Sequence, residues 1–237
     1  MEAAGYVTLT RQSGLMREMQ MVANNIANAA TTGYRAGGLV FSEYVARAEG
    51  APSLSMARGN APVISAAQGP LEATGGALDF AIEGEGFFLI ETPEGERLTR
   101  AGVFARSATG DLVTMDGLRV LDAGGAPVFI PPDAGRPGLA ADGTLSADGR
   151  PLAQLGLFRP AEGAALRRVG GTLFESTGAV VPVAGGRILQ GFREGSNVAP
   201  MTEIARMIEV QRAYELGQSF LETEDERVRR ALESFTR

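Results

Sequence analysis

The carboxylates around one short glycine turn are the residues best placed to do chemistry in this chain. Glu83 and Glu85 stand two apart around Gly84, and Asp79 stands four before Glu83, in a segment whose pattern is extended. On a strand such spacings return side chains to one face, offering the neighbouring carboxyl groups that glycoside hydrolysis requires. The composition removes most other catalytic chemistry. Cys, His and Trp are absent, and all 22 basic residues are Arg. Thiolate nucleophiles, imidazole bases, Schiff-base lysines and the usual zinc or copper sites go with them. Gly84-Glu85-Gly86 runs into Phe87-Phe88 and lacks the basic residue and helix opening of a phosphate loop. Acidic residues beside a glycine are more often turn residues than catalysts. The expectation is a non-enzymatic chain with no cofactor, no metal and no small-molecule substrate.

The 237 residues can bury a core, and 44% of them are hydrophobic. A net charge of −6 argues against a nucleic-acid surface, which needs a concentrated positive field. No stretch reaches the roughly 18 apolar residues of a membrane span, so no direct membrane insertion is expected. Met1 to Thr10 lacks a basic region followed by an apolar core, so no cleavable secretory signal is expected.

Both ends read as helices. From about Val7 to Ala30, Leu15, Met19, Val22 and Ile26 alternate in steps of four and three, with Met16, Ala23 and Ala30 widening the stripe. Thr31-Thr32-Gly33 is the expected stop. Asn24, Asn25 and Asn28 are poor helix formers, readable as a solvated end or as buried amides that set register between packed helices. The second helix is expected from about Ser196-Asn197, with Pro200 in its first turn. In it Met207, Tyr214, Leu221, Val228 and Phe235 recur every seventh residue. Val210, Gly217, Glu224 and Ala231 fill the intervening positions, and Ile204 and Ile208 widen the face. A lone amphipathic helix is marginal in water, so both ends are expected to become firm only against partners. The candidate assembly residues are Leu15, Met19, Val22, Asn24, Ile26 and Asn28 at one end. At the other they are Ile204, Met207, Val210, Tyr214, Leu221, Val228 and Phe235.

Between the helices, Ala36 to Thr74 reads as a linker or extended arm. From Gly75 to Gln190 short β runs alternate with turns. The expected strands include Leu78 to Ile82, Phe87 to Ile90, Leu98 to Ala105, Leu112 to Thr114, Leu118 to Leu121, Val128 to Ile130, Leu152 to Phe158, Thr172 to Glu175 and Val180 to Val183. Turn glycines at Gly110, Gly117, Gly125, Gly143 and Gly149 separate several of them. The expected fold class is α+β: N- and C-terminal helices forming a coiled-coil-like terminal domain, with a central all-β domain. The expected division is residues 1–35, a linker over 36–74, a β domain over 75–194 and the second helix over 195–237.

These residues resemble a known family, the flagellar axial proteins of rod and hook. Ala23-Asn24-Asn25-Ile26-Ala27-Asn28, followed by Thr31-Thr32-Gly33-Tyr34-Arg35, is similar to its N-terminal motif. Leu78 to Phe88 and Thr99-Arg100-Ala101-Gly102-Val103-Phe104 resemble its central blocks. Gln190-Gly191, Ser196-Asn197-Val198 and Met207 to Glu215 resemble its C-terminal block. Length and the run from Gln154-Leu155-Gly156 to Gly171-Thr172-Leu173-Phe174 look most like the proximal-rod type, whereas Arg212-Ala213-Tyr214-Glu215 looks like the distal-rod type. The resemblance implies a structural subunit of the periplasmic rod of the flagellar basal body, exported through the flagellar type III apparatus without a cleaved signal peptide. Implied partners are copies of itself, other rod subunits of the FlgB, FlgC and FlgG types, and the export apparatus. It also implies transmission of torque through packed terminal helices. The alternatives are a distal-rod or hook-type subunit and, more remotely, a secreted β-rich adhesin.

Overall fold

The computed structural model describes the backbone of residues 2–46, 54–183 and 185–235, with side chains described outside 2–6, 41–46, 54–62, 234 and 235. Helix α1 (Glu2–Ala27) opens the chain and α2 (Pro200–Phe235) closes it. Between them run β1 (Gly37–Ala46), β2 (Leu54–Ile64), β3 (Leu71–Ala73), β4 (Phe80–Glu83), β5 (Phe88–Thr92), β6 (Gly95–Thr99), β7 (Phe104–Arg106), β8 (Leu112–Thr114) and β9 (Val120–Leu121). They are followed by β10 (Gly138–Leu139), β11 (Thr144–Ala147), β12 (Arg150–Gln154), β13 (Phe158–Pro160), β14 (Leu166–Gly170), β15 (Leu173–Ser176), β16 (Val180–Pro182), β17 (Arg187–Gln190) and β18 (Phe192–Glu194). The class is α+β, with two helices around a β-rich centre.

The chain divides into two units. One takes the residues up to Ala27, Gly37–Ser65 and those from Ala199 on; the other takes Asn28–Ala36 and Ala66–Val198.

In the first unit α1 and α2 lie side by side. Gln12 reaches Tyr214, Glu18 pairs with Arg206 and Asn25 reaches Glu203, so the two helices run antiparallel. Pro200 is the first residue of α2, where its missing N–H costs no helical hydrogen bond, and Glu203 places negative charge in the first turn. The segment read as a linker or extended arm contains β1 and β2, an antiparallel pair that sets Gly37 opposite Ile64 and Ala46 opposite Leu54. Small residues and Pro62 weaken the signal in β2, and the apolar run Leu39-Val40-Phe41 of β1 does not alternate with polar residues.

The second unit is built on a five-stranded sheet in the order β14-β15-β6-β5-β9, joined by smaller sheets of two or three strands. Phe88, Leu89 and Ile90 of β5 are all buried, because this strand is covered on both faces; hence its unbroken apolar run. Phe80, Ile82, Ile90, Leu112, Val120, Val128 and Leu145 close the core, and the Phe88 and Phe104 rings meet edge to face at 5.3 Å. Three expected strands are corrected, and of these Val128 to Ile130 is no strand at all, holding only an isolated bridge from Phe129 to Asp111. Leu98 to Ala105 is two strands, β6 and β7, broken where Arg100 turns inward to a buried carboxylate and Gly102 passes against Phe80. Leu152 to Phe158 is likewise β12 and β13, separated at Gly156, where a Cβ would crowd Ala123 and the Phe158 ring. The strands β3, β11, β14, β17 and β18 carry too few alternating apolar residues to be read from sequence.

Candidate assembly surfaces and a buried arginine–glutamate cluster

Two of the three turn carboxylates hold structural partners. Glu83 ends β4, exposed, and pairs with Arg187 of β17 at 3.1 Å. Asp79 accepts a hydrogen bond from the Thr74 hydroxyl at 2.5 Å, and Glu85 is exposed between Gly84 and Gly86, both at positive φ. Among the described residues no three acidic side chains gather as a metal-binding group.

The helical rows separate into a paired stripe and an open one. On α1, Leu15 and Val22 are buried, and Met19 and Ile26 are half-buried. On α2, Val210 is buried, with Met207, Tyr214, Gly217, Leu221 and Glu224 half-buried in steps of three and four. Ile204 is exposed, as is Val228, while Phe235 lies outside the residues whose side chains are described. Leu9 and Met16 on α1, and Met201, Ile204, Ile208, Leu216 and Phe220 on α2, remain exposed apolar residues. Past Leu221 the α2 stripe continues into Val228, which is 43% exposed, close to where the antiparallel α1 runs out.

Asparagines near the end of α1 play different parts. Asn24 is exposed, and Asn28 accepts a hydrogen bond from the Thr31 hydroxyl at 3.2 Å. Asn25 is the buried amide, 2% exposed. Its Oδ1 accepts from the Gly37 N–H and its Nδ2 donates to the Gly37 carbonyl, both at 2.9 Å, while Nδ2 also reaches Glu203 Oε2 at 3.2 Å. One side chain thereby ties α1, β1 and α2. Gln12 does similar work further along, donating from Nε2 to the Tyr214 carbonyl.

The second unit holds a cluster that the sequence reading did not find. Glu194, 1% exposed, receives Arg35 Nη2 at 3.0 Å on Oε1 and Arg100 Nη1 at 3.0 Å on Oε2. The Gly69 N–H adds a third donor at 3.0 Å. Arg35 also donates to the carbonyls of Ala66 and Ala67, and Arg100 donates to the Gly84 carbonyl at 2.6 Å. Burial pulls both guanidinium groups below their ordinary pKa, Arg100 to about 10, while Glu194 opposes the shift. Both remain cationic at neutral pH.

The motif residues Thr31 to Arg35 are explained by this cluster. Gly33 has φ +71°, and a Cβ on it would fall on the Ala101 backbone, so only glycine fits. Its N–H donates to the Glu194 carbonyl at 2.8 Å. Tyr34 is buried beneath Arg168, whose guanidinium stands 4.2 Å from the Tyr34 ring centre and 4.9 Å from that of Phe174. Tyr34 and Arg35 are therefore interior residues of this unit, 3% and 2% exposed. A charged residue inside an apolar run, such as Arg100 between Leu98 and Phe104, is the one sequence signal that pointed here; Glu194 had none.

Two long helices with exposed apolar residues, set before and after a β-rich centre in the chain, are an order of elements that suits a structural subunit. Residues 6–35 match the model "Flagella basal body rod protein", 81–147 the "Flagellar hook protein FlgE/F/G D1 domain" and 189–234 the "Flagellar basal body rod FlgEFG protein C-terminal". The chain is 39% identical to the flagellar basal-body rod protein FlgF of Caulobacter vibrioides over 244 residues, covering 98% of each. It is also 39% identical to FlgF of Mesorhizobium japonicum, covering 91% of this chain and 90% of the relative. Similarity to FlgG of Agrobacterium fabrum is lower, at 33% over 93% of this chain and 94% of that one. The chain belongs to the flagellar basal-body rod and hook protein family and within it is most similar to FlgF. No described helix is long and apolar enough to cross a membrane.

Proposed function

We propose that this chain, a FlgF-like structural subunit of the flagellar basal-body rod, joins copies of itself and other rod subunits through the apolar faces of α1 and α2. The FlgB, FlgC and FlgG types are the partners this reading takes, delivered like it through the flagellar export apparatus into the periplasm. Coiled-coil-like packing of the helices then carries torque along the shaft.

One observation carries the reading. Large exposed apolar residues concentrate on the two helices: Leu9, Met16, Met201, Ile204, Ile208, Leu216 and Phe220 are all at least 39% exposed. Apolar surface left on a helix that already has a partner inside its own chain favours a second contact from outside. A contact between two different faces of successive copies propagates as an open helix when rotation does not close it.

Complementation of a deletion strain tests the reading. Ile208→Asp and Val228→Asp each put a carboxylate on apolar surface left open on α2, where burial by a partner would make it costly, and both are expected to abolish swimming while the β unit keeps its thermal transition. Normal swimming by both variants would refute assembly through this stripe. Imaging of purified basal bodies then separates a proximal from a distal position by the level at which the shaft stops.

A further inference from the structure

The Arg35, Glu194 and Arg100 cluster is charged, buried and unused by the helical faces. Three distant segments end on its single carboxylate: the turn after α1 supplies Arg35, the loop before β3 supplies Gly69, and the break between β6 and β7 supplies Arg100. Arg35 comes shortly after the end of α1 at Ala27, and Glu194 shortly before the start of α2 at Pro200. Backbone contacts run beside the charges. Gly33 N–H donates to the Glu194 carbonyl at 2.8 Å, and Ala36 N–H donates to Asn197 Oδ1 at 2.6 Å.

We propose that Glu194 is a positioning residue: it latches residues 28–36 onto the β unit and so fixes the place from which the chain departs toward each terminal helix. A buried ion pair is seldom a source of net stability, since desolvation offsets the attraction, but it discriminates sharply between seated and unseated arrangements. Here unseating residues 28–36 would strip the carboxylate of Arg35 and the Glu194 carbonyl of its Gly33 donor. The latch closes only when residues 28–36 and the strand end at Glu194 are seated together on the β unit.

The charges give the latch a sign that ordinary packing lacks. Two guanidinium groups face one carboxylate, so neutralising Glu194 leaves two like charges in a buried place, whereas removing Arg35 leaves a neutral pair. Glu194→Gln should therefore be more harmful than Arg35→Met, and Arg35→Met added to Glu194→Gln should restore stability.

The test uses the purified full chain. In the unaltered protein the Gly33 amide is expected to exchange with solvent within about tenfold of the slowest β6 amides, because both open in one cooperative step. Exchange more than about a hundredfold faster than β6 would overturn the latch. In Glu194→Gln, trypsin cleavage of the Arg35–Ala36 bond should accelerate at least about tenfold more than cleavage after Arg97 and Arg119, which report general opening of the β unit. An unchanged rate after Arg35 would refute the role of Glu194. The urea midpoint of the double variant should lie above that of Glu194→Gln alone, and a further drop would show that Arg35 is ordinary packing. Should Glu194→Gln not fold, exchange at Gly33 in the unaltered protein decides. Motility is not a readout, so this inference stands or falls apart from the rod assignment.

Discussion

Gln12 Nε2 donates to the Tyr214 carbonyl at 3.1 Å across the two helices, and Gly217 makes the room for it. A Cβ at Gly217 would come within 2.9 Å of that nitrogen. The glycine that weakens α2 by its backbone freedom thus admits a polar side chain into the helix seam.

Gly217→Ala sets two effects against each other. Alanine raises helix propensity by about 1 kcal/mol, but the methyl displaces Gln12 from its acceptor. In an otherwise unaltered chain the change is expected to be near neutral or unfavourable. In a Gln12→Ala background it should stabilise by up to about 1 kcal/mol. Urea unfolding followed by helical signal measures the difference; identical effects in both backgrounds would mean that Gln12 does not use the notch.

Asn25→Ala removes both hydrogen bonds to Gly37 and the one to Glu203. The Gly37 groups lose their partners beneath α1, for an expected loss of about 1–3 kcal/mol. Asn24→Ala, at an exposed position, is expected to cost less. Equal losses in the two variants would contradict the placement of the buried amide.

Gly102→Ala should unfold or severely weaken the β unit, because its Cβ would overlap the Phe80 carbonyl and press on the Phe88 ring. Overpacking against backbone costs about 1–3 kcal/mol and sometimes more. Gly170 has nothing within 4 Å of an added Cβ, so Gly170→Ala is expected to stay within about 0.5 kcal/mol of the unaltered chain. Thermal unfolding of the two variants checks the contrast.

Glu83→Gln loses one exposed pairing with Arg187, which is worth at most about 1 kcal/mol. Swimming in a complemented strain should be unchanged. Loss of swimming with a folded β unit would reopen the catalytic reading of the turn carboxylates.

Glu175 is held below its ordinary carboxylate pKa of 4.5, first by its hydrogen bond from Arg167 and then by the nearby charges of Arg167 and Arg97. The folded chain therefore binds fewer protons at this site than the unfolded one. Its stabilising contribution is present above 4.5 and is lost as pH falls through the lowered value. The urea midpoints of the unaltered chain and Glu175→Gln should differ at about pH 7 and draw together as the medium is acidified below 4.5. A gap that persists in acid would assign the difference to something other than this charge.

Much of the architecture is legible in the order of residues because it rests on local rules. Alternating steps of three and four mark both helices, Pro200 marks where α2 begins, and Phe87 to Ile90 announces a strand buried on two faces. Composition alone argues against most catalysis. The pairing of β1 with β2 was not legible, since the apolar run of β1 does not alternate and small residues with Pro62 interrupt β2, and neither was the break at Arg100, where propensity favours continuing the strand.

The sequence by itself determined the class of element at each end, the β character of the middle and the membership in a family of assembling subunits. Only the tertiary structure decided which polar residues are interior. Asn25 and not Asn24 faces Gly37, and Arg35, Arg100 and Glu194 meet although they come from remote parts of the chain. Spacing along a chain fixes which side chains share a face, whereas a buried charge is tolerable only where the fold delivers its partner, and that delivery is a long-range event no local pattern encodes.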